Sequence, residues 1–149
     1  MVSKVISKKC RYALRAVFEL AWRGSKDPVK IQNIAVSQAI PPRFLEVIMA
    51  ELKQGGFVKS IRGNKGGYAL ARPADQLTVG EVLAFLAGDL REPDELEKQN
   101  FVPVGNYAFS KLLESANNAV SSVYDDTTFA DLIKEELLLR KNYVPNYAI

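Results

Sequence analysis

Arg62 and Lys65 stand in the stretch "IRGNKGGYAL", separated by Gly63 and Asn64 and followed by Gly66 and Gly67. Two cations on backbone with almost no side-chain bulk suit one kind of chemistry. They can bring positive charge against phosphates, or into a narrow groove, where a Cβ would otherwise stand in the way. A second candidate is Arg43, in "PPRFLEVIMAELKQGG". At helical spacing it shares a face with Val47, Ala50 and Gln54. A solvated face would carry Lys and Glu throughout, so two small apolar residues beside an arginine point to a surface that must approach something closely.

Other chemistries are excluded by what the chain lacks. It has no histidine and a single cysteine, Cys10. Ser-His-Asp and Cys-His nucleophiles are impossible, an internal disulfide cannot form, and a zinc site would lack the soft ligands it needs. Carboxylate-only catalysis has no motif behind it. We therefore expect no enzyme, no metal site and no cofactor, and Cys10 reads as a small buried thiol rather than a redox sensor.

The charge distribution agrees with the glycine-rich cations. The net charge of +3 divides at Arg72: up to that residue 14 Lys and Arg face 4 Asp and Glu, and beyond it 6 face 13. A basic half of this strength in a small chain favours a polyanion as partner. With 149 residues and 48% hydrophobic content the chain suits one domain with an appended element and a real core. No apolar run approaches the roughly 20 residues that cross a bilayer, and the N-terminus is too charged for a signal peptide. The expectation is a cytoplasmic protein without a membrane partner.

The elements that must position these cations follow from periodicity. Tyr12, Ala13, Ala16, Val17, Leu20 and Ala21 form one stripe, which predicts an amphipathic helix over about 7–23, ended by "GSKDP". A short helix follows with Ile31, Ile34 and Ala35 inward. "IPP" then supplies a turn and a proline at the start of a third helix, where its missing N–H is harmless. Leu45, Ile48, Met49 and Leu52 form the buried stripe of that helix, and Gly55 and Gly56 its left-handed cap. "FVKSI" and "GYALA" are two short β-favouring runs around the glycine loop. The loop alone would fit a plain hairpin. Three helices followed by a hairpin, however, make a winged helix-turn-helix, with the third helix in the major groove and "RGNKGG" as the wing tip.

Beyond the wing, Thr78 and Glu81 form a capping box that opens a short helix. "DLREPDELEKQNFVPVG" is acidic and aperiodic and reads as a connecting loop. From about Asn106 a long helix places Phe109, Leu113, Ala116, Val120 and Val123 along one seam, with Asn117 beside it as a polar residue that could set register. A small domain cannot cover this seam as well as its first core, which implies a homodimer packed through it. A last helix is capped by Thr127 or Thr128, and "KNYVPNYAI" reads as a loose tail. The division expected is 1–88 for a winged helix-turn-helix DNA-binding domain, 89–105 for the loop, and 106–149 for the dimerisation helix, last helix and tail. The fold class is mainly α with a small β-hairpin wing.

"SKKCRYALRA", "IPPRFLEVIMAELKQGGFVKSIRGNKGGYALARP" and "LTVGEVL" together resemble the Rrf-type winged-helix transcription regulators, the group of IscR, NsrR and CymR. The resemblance covers nearly the whole chain, and its most specific part is the wing followed by "LARP". It implies a homodimeric DNA-binding regulator, a repressor or activator, on a palindromic duplex operator, with Arg62 entering the minor groove. It also implies that Pro42, Arg43, Phe44 and Glu46 contact DNA from the third helix and Ser7 and Lys8 from the N-terminus; Gly63, Asn64, Lys65 and Gly66 join them from the reading of the wing tip itself. Glu46 enters through the resemblance, and a carboxylate there can accept from a cytosine amino group. Two departures stand out. Pro41 occupies the place where many members have a capping serine. Cluster-binding members carry cysteines in the loop before the long helix, where this chain has none. It thus resembles the clusterless members, which answer to an effector protein or a small metabolite. A winged-helix protein-interaction module without DNA is the alternative reading. Such a module would have no need of Arg62 and Lys65 on glycine-rich backbone.

Overall fold

A computed structural model describes residues 6–24, 27–87 and 100–142. Helix α1 (Lys8–Arg23) buries Ala13, Ala16, Val17 and Leu20, the stripe that the spacing predicts. The Ser7 hydroxyl accepts from the Cys10 N–H at 3.2 Å and so caps the helix, which ends at Gly24 with φ 58°. Helix α2 (Ile31–Gln38) buries Ile34 and Ala35 and ends on Ala39 at φ 53°. This left-handed conformation costs a residue with a Cβ about 1 kcal/mol. Helix α3 (Pro42–Gln54) begins on a proline and buries Leu45, Ile48, Met49 and Leu52.

The two glycines after α3 divide the work differently from expectation. Gly56 alone is left-handed, at φ 78°. Gly55 stays right-handed at φ −76° and is small for another reason. A Cβ there would lie 2.7 Å from the Phe57 ring and 2.9 Å from that of Phe85.

Strands β1 (Val58–Ile61) and β2 (Gly67–Leu70) pair antiparallel, with Val58 opposite Leu70 and Ile61 opposite Gly67. Val29, in the loop before α2, forms a bridge to Tyr68, with N–H to C=O bonds of 2.8 Å in both directions. Sequence periodicity gave no sign of this bridge, since a single pair has no period. It explains Gly67: a Cβ there would collide with the Val29 carbonyl. The wing is thereby tied to the start of α2.

After a 3-10 turn (Ala74–Gln76), helix α4 (Val79–Ala87) opens on the expected capping box. The Thr78 N–H donates to Glu81 Oε2 at 3.0 Å and the Glu81 N–H to Thr78 Oγ1 at 3.2 Å. Thr128 and Asp131 repeat the device at the start of the last helix, α6 (Phe129–Asn142). The two starts are joined by backbone bonds from Val79 to Thr127 and from Phe129 to Leu77, at 2.9 and 3.0 Å.

Phe129 is fully buried, and Leu132 and Ile133 lie against the same core as α1. The helix placed by sequence in a separate C-terminal unit thus belongs to the core of the N-terminal helices. Lys141 and Asn142, expected in a loose tail, are part of α6. Residues 143–149, residue 88, and 89–99 of the expected loop lie outside the described residues.

Helix α5 (Asn106–Asp125) starts where the spacing predicts and buries none of its 20 residues in its own chain. No helix among the described residues is long and apolar enough to cross a membrane.

Candidate nucleic-acid interface

The surface begins with α3. Its apolar stripe turns Leu45, Ile48, Met49 and Leu52 inward, which leaves Arg43, Phe44, Glu46, Val47, Ala50 and Gln54 exposed. Pro42 is exposed at the first turn, and no side chain caps the helix at Pro41. Ser7 and Lys8 are exposed at the start of α1.

The start of α1 is held against α3 by specific contacts at both ends of that helix. Lys9 Nζ lies 2.7 Å from Glu51 Oε2. The Tyr12 ring stacks on that of Phe44, with centroids 6.4 Å apart, and the Lys8 ammonium sits 5.9 Å from the Tyr12 centroid. Tyr12 and Lys9 belong to this surface although sequence reasoning placed Tyr12 in the core stripe and passed over Lys9. Tyr12 is half-buried against the core, as its place in the stripe predicts, and its ring also meets that of Phe44, a residue too distant in the chain for any local pattern to reveal.

The wing tip presents Arg62, Gly63, Asn64 and Lys65 to solvent. Gly63 takes φ 115°, which a side chain rarely adopts. Gly66 differs from the sequence expectation that it contacts DNA: it is buried, and its N–H donates to the Gly63 carbonyl at 2.9 Å. A Cβ on Gly66 would collide with the Ile61 carbonyl. It holds the loop closed from beneath and leaves the outer surface to its neighbours.

Arg43, Arg62 and Lys65 make no ion pair with any described residue. Among the described residues their charge is unpaired. Arg72 at the far end of the wing is different: it pairs with Glu81 at 3.2 Å and lies 5.7 Å from the Phe57 ring.

Behind the surface, a buried network fixes α2 against α1. Glu19, 6% exposed, accepts from Arg23 at 2.9 Å and from Gln38 at 2.7 Å, and Arg23 also donates to Ser37 at 3.1 Å. Burial alone would push the Glu19 carboxyl up, but the hydrogen bonds from Gln38, Arg23 and Ser37, with the Arg23 charge, outweigh it and hold the group below the usual carboxylate range. Because α3 follows α2 after a short turn, this network also sets the pose of α3.

On this geometry the comparisons with known proteins bear directly. The profile of the Rrf2 family, described as iron-dependent transcriptional regulators, matches residues 6–135. The HTH-type transcriptional regulator CymR of Bacillus subtilis is 34% identical over 127 residues, covering 85% of this chain and 88% of its own. The solved structure of IscR from T. potens superposes with a TM-score of 0.75 at 30% identity, covering 95% of this chain and 93% of that one. That of CymR, the global cysteine regulator of B. subtilis, gives 0.74 at 32% identity, covering 87% and 96%.

A thiolate-held iron cluster does not fit this chain. Its one cysteine, Cys10, is buried in α1, and the described residues contain no group of three or more His, Cys, Asp or Glu able to hold a metal ion. The shared fold, the outward-facing helix and wing, and the match across most of the sequence nevertheless agree: the chain belongs to the Rrf2 family of helix-turn-helix transcription regulators.

Proposed function

We propose that this regulator acts as a cytoplasmic homodimer without an iron–sulphur cluster, and represses transcription by binding a palindromic duplex operator. The observation that carries the DNA-binding surface is the charge of Arg43, Arg62 and Lys65, unpaired among the described residues and displayed on α3 and on a wing tip whose glycines leave the backbone bare. In this reading α3 lies in the major groove, where Arg43 reaches base edges or adjacent phosphates and Glu46 accepts from a cytosine amino group. Arg62 enters the neighbouring minor groove, and Lys65, Asn64, Ser7 and Lys8 hold the phosphates.

The dimer rests on α5. Phe109, Leu113 and Val123 are 65%, 61% and 65% exposed in one protomer. Together with Ala116, Val120 and the nearby Asn117 they make a seam that a second copy would cover, at a gain proportional to the apolar area removed from water. Two copies related by a two-fold axis would present two wings and two third helices to two half-sites.

The test is binding to a duplex selected from a random-sequence library, followed by fluorescence anisotropy over a range of salt. Specific binding with a steep negative dependence of log K on log salt is expected. Absence of any selected sequence, with binding no tighter than to random duplex, would overturn the reading.

A further inference from the structure

Between α1 and α3 the surface carries an apolar notch of about 220 Å³, lined by Lys8, Lys9, Tyr12, Phe44, Val47 and Ile48. Its floor is the buried Ile48, and its mouth is formed by Phe44 and Val47, which are 53% and 58% exposed. Exposed apolar side chains of this size on the first turns of a helix give up free energy to water unless something covers them.

The notch is braced on several sides. The Lys9–Glu51 ion pair at 2.7 Å holds the start of α1 on α3, and the Tyr12–Phe44 stack fixes the aromatic wall. Lys8 stands over the outer face of Tyr12. With Lys9 paired to Glu51, Lys8 leaves the rim cationic over an apolar interior, which suits an occupant that combines an apolar group with nearby negative charge.

We propose that this notch receives the C5-methyl group of a thymine in each half-site, with Lys8 lying along the adjoining phosphates. The inference rests on the DNA-binding reading above and deepens it. The major-groove edges of the base pairs carry donors and acceptors with a single apolar exception, the thymine methyl. Val47 and Phe44 offer neither a donor nor an acceptor, and they share the first turns of α3 with Arg43, whose guanidinium can reach a neighbouring base. Readout by Arg43 and readout by the notch are thus different in kind. One recognises polar edges, and the other recognises a methyl group that uracil lacks.

The probe is the selected duplex with each thymine replaced in turn by deoxyuridine, a change that removes one methyl and leaves every hydrogen-bonding atom in place. Loss of one buried methyl should weaken binding about 4-fold when the thymine of one half-site is replaced, and about 15-fold when both half-sites are changed. In Val47→Ala, a substitution at an exposed position that should leave folding intact, the same duplex should show less than half of that discrimination on a logarithmic scale. Arg43→Ala should retain the thymine preference. Equal affinity for every deoxyuridine duplex would overturn the proposal while leaving DNA binding standing, as would a thymine preference unchanged in Val47→Ala. Failure to select any duplex would remove the DNA-binding reading and this proposal with it.

Discussion

Gly80 stands against Asp125 with no room for a side chain between them: a Cβ on Gly80 would collide with the Asp125 carboxylate and lie 3.0 Å from its Cα. The first turn of α4 and the last turn of α5 thus meet backbone to backbone. The direction in which α5 leaves the core is set by the absence of an atom at position 80.

Gly80→Val should therefore lower stability by about 1–3 kcal/mol, because the Cα of Asp125 belongs to a helix that cannot yield without moving α5. Urea unfolding followed by circular dichroism would measure the loss. An unchanged midpoint would mean that α4 and α5 are more loosely joined than the close approach of these residues indicates.

Leu113→Glu places a charge in the middle of the proposed seam. Because Leu113 is 61% exposed in a protomer, the change should spare the fold and separate the subunits. Sedimentation velocity should find a monomer with an unaltered far-ultraviolet spectrum. A folded dimer of parental stability would place the subunit interface elsewhere.

Glu19 ties stability to pH. Its hydrogen-bonded carboxyl has a folded pKa below the usual 4.5, so it stabilises the fold above that value, and the contribution is lost as pH falls through the folded pKa. Glu19→Gln should cost about 1–3 kcal/mol near neutral pH, since Arg23 loses its charge partner and the buried hydrogen bonds to the carboxylate are disrupted. The gap between variant and parent should shrink as the pH drops below 4.5. A gap independent of pH would show that the carboxylate charge is not what matters there.

Protein prepared without oxygen from iron-replete cells should be colourless, and its DNA affinity should survive chelation, since Cys10 is the chain's only thiol. Stoichiometric iron and sulphide with visible absorption would contradict this.

Much of this architecture could be read from residue spacing. Leu45, Ile48, Met49 and Leu52 recur at helical intervals, and Thr78 with Glu81 forms a local signature, so α3 and the start of α4 were legible. What escaped depended on contacts between distant segments. A glutamate on an amphipathic helix reads as solvated, and only the approach of Gln38 and Ser37 turns Glu19 into a buried partner. Gly66 and Gly67 read alike in the chain. One is buried beneath the wing tip and the other admits Val29, a distinction made by folding. Phe129 lies so far along the chain that its place in the core with α1 had no local sign.

The DNA-reading role of the wing is tested most directly by the affinity of Arg62→Ala for the selected duplex at physiological salt. Arg62 is exposed and makes no ion pair among the described residues, so its removal should leave folding unchanged. Binding should weaken by about 1–3 kcal/mol per half-site, and any preference for A·T pairs at the minor-groove flanks should flatten. Lys65→Ala, by contrast, should weaken all sequences alike and reduce the salt slope by about one unit. An Arg62→Ala protein that is folded and binds its operator with undiminished affinity would contradict the assignment of the wing as a DNA reader.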